Sequence, residues 1–251
     1  MAPKGKKREV ISSSQALPPN WPIFRPIIPP SALFLREILS NQIITIPNFW
    51  PSSLCATYVS FLSSLPLVTT PGEPKKGDAV RVNDRYQIQD AAFAKRLWEE
   101  TGMKDIVMGD VQSEDGLQLD QGARKELWGG EVVGLNPNIR IYRYSKGQFF
   151  DQHYDDSNNV TIPSSPSNIQ ARTTWTLLLY LTSPATGCIG GETVFYPDPS
   201  SASESMEPIA VGLETGMALL HRHGAECMLH EGREVLAGEK WVIRSDLCIR
   251  R

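Results

Sequence analysis

The pattern of hydrophobic and polar positions differs between the two halves of this chain of 251 residues, with helical spacing in the first half and short strand-like runs in the second. In the first half, apolar residues between positions 54 and 65 recur at helical spacing, which predicts a helix that begins at Ser52 or Ser53. A second helix is predicted over residues 91–101, with Asp90 as its cap and Gly102 as its stop. A short helix over residues 32–39 and a short strand over residues 43–46 complete the elements predicted there.

From residue 132 onward, short runs rich in β-branched and aromatic residues alternate with turns. The run RTTWTLLLYLT, residues 172–182, is apolar on both faces and predicts a central strand covered on both sides. The other predicted strands are residues 139–144, 148–154, 192–196, 207–211, 218–221, 233–236 and 240–249. A series of short strands separated by turns predicts a closed barrel or a double-sheet jelly roll.

Residues 1–30 are rich in Ser and Pro, and their prolines interrupt any helix or central strand. We interpret them as an extended or disordered arm, and residues 31–251 as one domain with helical support over 31–131 and a β core over 132–251. The basic cluster Lys4, Lys6, Lys7 and Arg8 has two interpretations, a nuclear address or phosphate-binding tail and a solvated terminus.

Charge and composition narrow the compartment and the partners. The net charge of −3 argues against a nucleic-acid partner. Neither a run of membrane-spanning length nor an apolar signal core after Arg8 is present, so we predict a cytoplasmic or nuclear protein without a membrane partner. The cysteines Cys55, Cys188, Cys227 and Cys248 are widely spaced and are interpreted as free thiols.

His153 and Asp155 are the first candidates for chemistry. Two positions apart on a strand, they would point to the same face and offer one imidazole and one carboxylate to a single ion. One more histidine would complete the two-histidine, one-carboxylate set of non-haem Fe(II) sites. The remaining histidines are His221, His223 and His230.

The spacing from a histidine to a following basic residue does not identify which of these histidines is the third ligand. His230 is followed ten positions later by Lys240, and His223 equally by Arg233. Lys240 could bind the distal carboxylate of a dicarboxylic co-substrate. Arg244 shares its strand face and could be that anchor instead.

Five motifs follow one another in the second half: RYSKGQFFDQHYD (143–155), TLLLYL (176–181), GGETVFYP (190–197), GMALL (216–220), and LH (229–230) with GEKW (238–241). In this order they resemble the catalytic domain of the 2-oxoglutarate and Fe(II)-dependent oxygenases of the prolyl 4-hydroxylase type. The resemblance covers residues 139–246, and residues 81–98 more loosely.

The resemblance implies an α+β, mainly β fold, a double-stranded β-helix or jelly roll with supporting N-terminal helices. It implies that His153, Asp155 and His230 are iron ligands, with His223 kept as the alternative third ligand. It also implies that Lys240 holds the far carboxylate of 2-oxoglutarate, that Tyr144 and Thr176 help to cradle it, and that the GGETVF turn is structural. The implied cofactors are Fe(II), 2-oxoglutarate and O2, with ascorbate as a further expectation.

The implied activity is hydroxylation of a C–H bond, of a peptidyl proline or another amino-acid side chain, with formation of succinate and CO2. Asp156 and the serine-rich insert 157–167 depart from the collagen-modifying members, so the substrate stays open between a protein or peptide and a small molecule. An oxygenase acting on nucleic acid has support only from the basic tail. A non-catalytic jelly-roll binding module is the third hypothesis.

Two further expectations concern the walls of the site. Residues 81–86 (RVNDRY) are predicted to form a loop that is either a substrate lid or a solvated connection. Tyr142, Trp175, Leu178 and Trp241 are candidates for the pocket, with ordinary core as the competing interpretation. Residues 104–131 carry no clear signal.

Overall fold

The structure is a computed structural model, and it describes residues 17–70, 79–110, 114–197 and 207–251. The helices in this part of the chain are α1 (Ser52–Leu62), α2 (Ala91–Glu100), α3 (Met103–Met108) and α4 (Gln121–Trp128). None of them is long and apolar enough to span a membrane. The strands are β1 (Arg36–Leu39), β2 (Ile43–Ile46), β3 (Val68–Thr69), β4 (Arg81–Val82), β5 (Asp84–Gln89), β6 (Val132–Leu135), β7 (Asn138–Ser145), β8 (Phe149–His153), β9 (Asn159–Ile162), β10 (Ile169–Tyr180), β11 (Ile189–Gly190), β12 (Thr193–Tyr196), β13 (Ile209–Val211), β14 (Ala218–Arg222), β15 (Leu229–Gly232), β16 (Val235–Ala237) and β17 (Glu239–Arg250).

Two antiparallel sheets carry the site. The major sheet has the order β1-β2-β14-β10-β17-β7-β5-β3, with β6 and β9 paired to its central strands. The minor sheet has the order β13-β12-β15-β8-β4. The small pair β11-β16 lies apart from both in the pairing. The mainly β architecture confirms the predicted fold class, and β10 is a central strand as predicted.

The central strands of the major sheet have a different set of neighbours on each face. On β7, Ile139 and Ile141 belong to the core that the sheet shares with the helices. The alternate residues Tyr142 and Tyr144 belong to a second core between the sheets. Trp175 and Trp241 lie in the helical core, which confirms the core interpretation for them and excludes the pocket interpretation, because residues one position apart on a strand face opposite sides.

The packed domain begins earlier than residue 31. Trp21 and Phe24 are buried in the helical core. The indole Nε1 of Trp21 donates to Asp90 (2.7 Å), and the hydroxyl of Tyr58 donates to the carbonyl of Pro22 (2.8 Å). The interpretation of residues 17–30 as a disordered arm is therefore wrong, because aromatic anchors overcome the lack of regular backbone pairing. Residues 1–16, with the basic cluster, lie outside the described residues.

Local signals predicted some elements and failed for others. Asp90 caps α2 by accepting from the backbone N–H of Phe93 (2.9 Å), as expected. The helix predicted over residues 32–39 is wrong: a 3-10 turn at Pro30–Ala32 leads into β1, which pairs with β2. Arg36 to Leu39 are good helix formers, so cross-strand pairing overrides their propensity.

Candidate metal centre and its cavity

His153 and His230 lie opposite each other on paired strands of the minor sheet. β8 ends at His153, and β15 places His230 in direct register with it. Directly opposed residues of an antiparallel pair project to the same face. The two imidazole centroids are 4.2 Å apart. Strand pairing thus brings together two histidines that are far apart in the sequence.

Asp155 reaches the same space from the coil after β8. The expectation that it shares a strand with His153 is wrong, because the strand ends at His153. Its backbone is held instead by Cys227, whose sulfur accepts from the N–H of Asp155 (3.2 Å), and by Gly224, whose N–H donates to its carbonyl (2.8 Å). Its Oδ1 is 3.9 Å from Nε2 of His153, and its Oδ2 is 3.8 Å from Nε2 of His230.

One donor atom from each of His153, Asp155 and His230 lies within 4.8 Å of the others. The Nδ1 atoms of the two histidines are 2.8 Å and 2.9 Å from the carbonyls of Asp151 and Met228, to which they can donate. Each Nε2 then presents its lone pair to the centre of the group. Burial lowers the pKa of both, that of His153 to about 3, so both imidazoles are neutral. This donor set fits Fe(II) and leaves positions for further ligands.

The carboxylate of Asp155 is held by two donors through one of its oxygens. Its Oδ2 accepts from the hydroxyl of Thr176 (2.8 Å) and lies 2.8 Å from Nη2 of Arg244. Burial alone would raise its pKa, but the guanidinium of Arg244 holds that pKa well below its usual range. The carboxylate is therefore ionised, with Oδ1 left for a metal.

Lys240 lies at the other end of the cavity on the same face of β17 as Arg244. Its Nζ donates to the carbonyl of Gly191 (2.7 Å) and lies 5.5 Å and 5.4 Å from the ring centroids of Tyr144 and Tyr180. Burial lowers its pKa to about 8. Among the described residues no carboxylate pairs with it, so this ammonium suits an incoming anion.

The GGETVF turn shapes this end. Gly191 has a positive φ of 76°, and a Cβ added there would lie 3.2 Å from Cδ of Lys240. Its interpretation as a purely structural turn is incomplete, because its carbonyl also fixes the ammonium of Lys240.

Sequence reasoning missed Tyr180 and Thr193 as site residues. The Tyr180 hydroxyl shares a 2.7 Å hydrogen bond with the Thr193 hydroxyl, and Thr193 lines the cavity. The period of two from Thr176 through Leu178 could have placed Tyr180 on this face. The cavity is lined by Tyr142, Tyr144, Phe150, His153, Asp155, Thr176, Leu178, Thr193, His221, His230, Glu231, Gly232, Lys240, Val242 and Arg244.

The other two histidines differ from each other. His223 has both ring nitrogens in hydrogen bonds, Nδ1 with Thr176 and Nε2 with Thr173, each at 2.9 Å. It therefore offers no nitrogen to the three-donor group. His221 lines the cavity but lies outside that group.

The segment predicted as a loop over residues 81–86 is built of strand. Arg81 and Val82 form β4 in the minor sheet, and β5 follows in the major sheet, so this prediction is wrong. The guanidinium of Arg81 lies 5.0 Å from the ring of Phe150, which stacks on His153 at 3.6 Å. Because it pairs with both sheets, this segment is a fixed support beside the candidate metal centre. Its polar sequence gives no strand signal, so the pairing could not be predicted from it.

Residues 139–245 match the family model of the 2OG-Fe(II) oxygenase superfamily. No curated protein matches the chain. The chain therefore carries a region of this superfamily over residues 139–245, as its motifs predicted. It is a 2-oxoglutarate-dependent dioxygenase whose cofactors are Fe(II), 2-oxoglutarate and O2.

Solved structures show the same fold at low sequence identity. A prolyl-4-hydroxylase from Pseudomonas putida is 12% identical, with a TM-score of 0.51, over 84% of this chain and 95% of that one. The viral collagen prolyl hydroxylase of Paramecium bursaria Chlorella virus-1, in a 2-oxoglutarate complex, is 14% identical, with a TM-score of 0.50, over 83% and 96%. HygX from Streptomyces hygroscopicus, with nickel and 2-oxoglutarate bound, is 14% identical, with a TM-score of 0.50, over 83% of each chain.

Proposed function

We propose that this dioxygenase hydroxylates a C–H bond of a peptidyl proline or of another amino-acid side chain. The observation that carries the proposal is the three-donor group of His153, Asp155 and His230, with neutral imidazoles fixed through Nδ1. With Fe(II) and 2-oxoglutarate bound, one atom of O2 enters the C–H bond and the other enters succinate as 2-oxoglutarate loses CO2.

The roles of the protein residues follow from their contacts. His153, His230 and Oδ1 of Asp155 would hold Fe(II), while Thr176 and Arg244 orient the carboxylate. We assign the far carboxylate of 2-oxoglutarate to Lys240, because Arg244 already contacts carboxylates of the protein. Tyr144 would close the cavity beside Lys240. A requirement for ascorbate remains a prediction from the family resemblance.

A groove beside the cavity supports a peptide-like substrate. It contains Arg140 and Asp246, which form an ion pair, and the side-chain amides of Gln89, Asn138, Asn158 and Asn159. The amide of the buried Asn136 is already paired with Asp246 and with the backbone of Asn138. Amides both donate and accept hydrogen bonds, so they can match the donors and acceptors of a peptide backbone. The fold neighbours named as prolyl hydroxylases agree with this substrate class as an analogy of fold.

The metal site is tested by anaerobic titration with Fe(II) and 2-oxoglutarate, following the metal-to-ligand charge-transfer band. We expect the band in the wild type and its loss in His153→Ala and His230→Ala. His223→Gln is the matched control and should keep the band, since its ring faces threonines. Loss in His223→Gln together with retention in His230→Ala would overturn the ligand assignment.

The substrate class is tested with peptide libraries, centred on proline and on other residues. We expect a mass increase of one oxygen atom on a peptide, together with a matching amount of succinate. If no peptide is modified while a small metabolite gives both products, the peptide proposal is wrong and the metal-site assignment is unaffected.

A further inference from the structure

His221 is a buried histidine at the metal end of the cavity. Its side chain is 2% exposed, and neither Nδ1 nor Nε2 has a hydrogen-bond partner within the part of the chain that the structure describes. Buried polar groups in folded proteins are nearly always paired, so an unpaired imidazole beside a functional site requires a partner.

The surroundings show where that partner would lie. β14 places His221 opposite Thr176, whose hydroxyl binds Asp155. Nε2 of His221 is 3.8 Å from Oδ2 of Asp155, and its ring centroid is 4.5 Å from that of His230. A distance of 3.8 Å is too long for a hydrogen bond. His221 therefore faces the space beside the metal ligands without being one of them.

His223, two residues later, is a buried histidine with a purely structural environment and serves as a comparison. Both of its nitrogens are paired with threonine hydroxyls at 2.9 Å. The two histidines are similarly buried, yet only His221 lines the cavity. The missing partner of His221 is therefore most simply a molecule that enters the cavity.

The chemistry of that molecule follows from the imidazole. An imidazole ring carries at least one N–H donor in either of its charge states. The nearest protein carboxylate, Asp155, already receives Thr176 and Arg244 on the oxygen that faces His221. An N–H donor beside the metal ligands suits a carboxylate oxygen of the co-substrate.

We propose that His221 binds the carboxylate of 2-oxoglutarate next to its 2-oxo group, at the end of the cavity opposite Lys240. The inference rests on the proposed function, since it requires 2-oxoglutarate in this cavity. The co-substrate is then held at one end by an N–H donor on β14 and at the other by a cation on β17.

The test compares His221→Phe with His221→Asn. The affinity for 2-oxoglutarate is measured anaerobically with Fe(II) through the charge-transfer band, and thermal unfolding is measured on the metal-free protein. We expect His221→Phe to weaken 2-oxoglutarate binding by about tenfold or more, as the loss of a hydrogen bond to a charged group predicts. Its unfolding temperature should be unchanged or higher, because an unpaired buried polar group has been removed. His221→Asn keeps a donor and should recover part of the affinity.

His223→Phe is the matched control. It loses two satisfied hydrogen bonds, so its metal-free form should unfold at a lower temperature than the wild type. Wild-type affinity in His221→Phe would overturn the inference and indicate that a water molecule alone pairs with His221. If the phenylalanine variant does not fold, His221→Ala replaces it under the same criterion. Absence of the band in the wild type itself would refute the proposed function instead.

Discussion

The two ends of the cavity each contain a buried cation, and the two cations differ in whether a carboxylate lies beside them. Lys240 and Arg244 share one face of β17 and are both buried. Arg244 lies 2.8 Å from a carboxylate oxygen of Asp155 and 3.7 Å from one of Asp246. Lys240 forms no ion pair within the part of the chain that the structure describes; its ammonium donates to a backbone carbonyl and lies beside two aromatic rings. Among the described residues, one cation is therefore compensated by carboxylates and the other is not.

The pKa values follow this difference. Burial lowers the pKa of Lys240 to about 8. Burial also opposes the charge of Arg244, but Asp155 outweighs it and raises the pKa of that guanidinium. A compensated cation can orient a metal ligand, whereas an uncompensated one gains most when an anion binds. The assignment of Arg244 as the main 2-oxoglutarate anchor therefore has less support than the assignment of Lys240.

The largest expected effect is at the uncompensated end. Lys240→Met should weaken 2-oxoglutarate binding by about 100-fold or more, because losing one partner of a buried charge pair costs about 2–5 kcal/mol. Fe(II) affinity should change little, and the metal-free protein should be no less stable, since a buried unpaired charge is removed. Anaerobic titrations of metal and of co-substrate measure the two affinities separately. Lys240→Arg is the control that keeps the positive charge, and wild-type affinity in Lys240→Met would remove Lys240 from the site.

A smaller effect, on a different ligand, is expected at the compensated end. Arg244→Gln should lower metal affinity by about 10- to 100-fold, as is typical when a group that orients a metal ligand is removed. Co-substrate affinity at saturating metal should change less. The variant should also unfold more easily, because Asp155 loses its buried cation. If 2-oxoglutarate binding fails while metal binding is intact, Arg244 is the anchor and the comparison of the two ends is reversed.

The sequence predicted this contrast only in part, and the reason is physical. The β-branched run of β10 and the cap at Asp90 are local signals, and both elements formed as expected. The compensation of Arg244 depends on Asp155, which is distant in the sequence and reaches it from the coil after β8. Spacing along β17 shows that two cations share a face, but it does not show which one meets a carboxylate.

The local sequence pattern also could not predict which histidine has which role. The short polar strand β15 gave no clear strand signal, yet its register with β8 selects His230 for the three-donor group. His221 and His223 are distinguished only by which hydroxyls surround them after folding. The family motifs supplied the ligand prediction because they encode these pairings indirectly. Residues outside the motifs, such as those of β1 and β4, were assigned wrongly.

The smallest effect concerns pH and acts only at the uncompensated end. In the free enzyme the ammonium of Lys240 is protonated below its pKa of about 8 and loses its charge above it. Co-substrate affinity should therefore be full near pH 7 and fall as the pH rises beyond 8, by up to about tenfold per unit until the pKa of the bound complex is passed. Calorimetric titration with 2-oxoglutarate and Mn(II) in place of Fe(II) measures this dependence. Lys240→Arg keeps its proton throughout, so its affinity should be nearly constant over the same range; an equal decline in both proteins would show that the pH dependence arises elsewhere in the site.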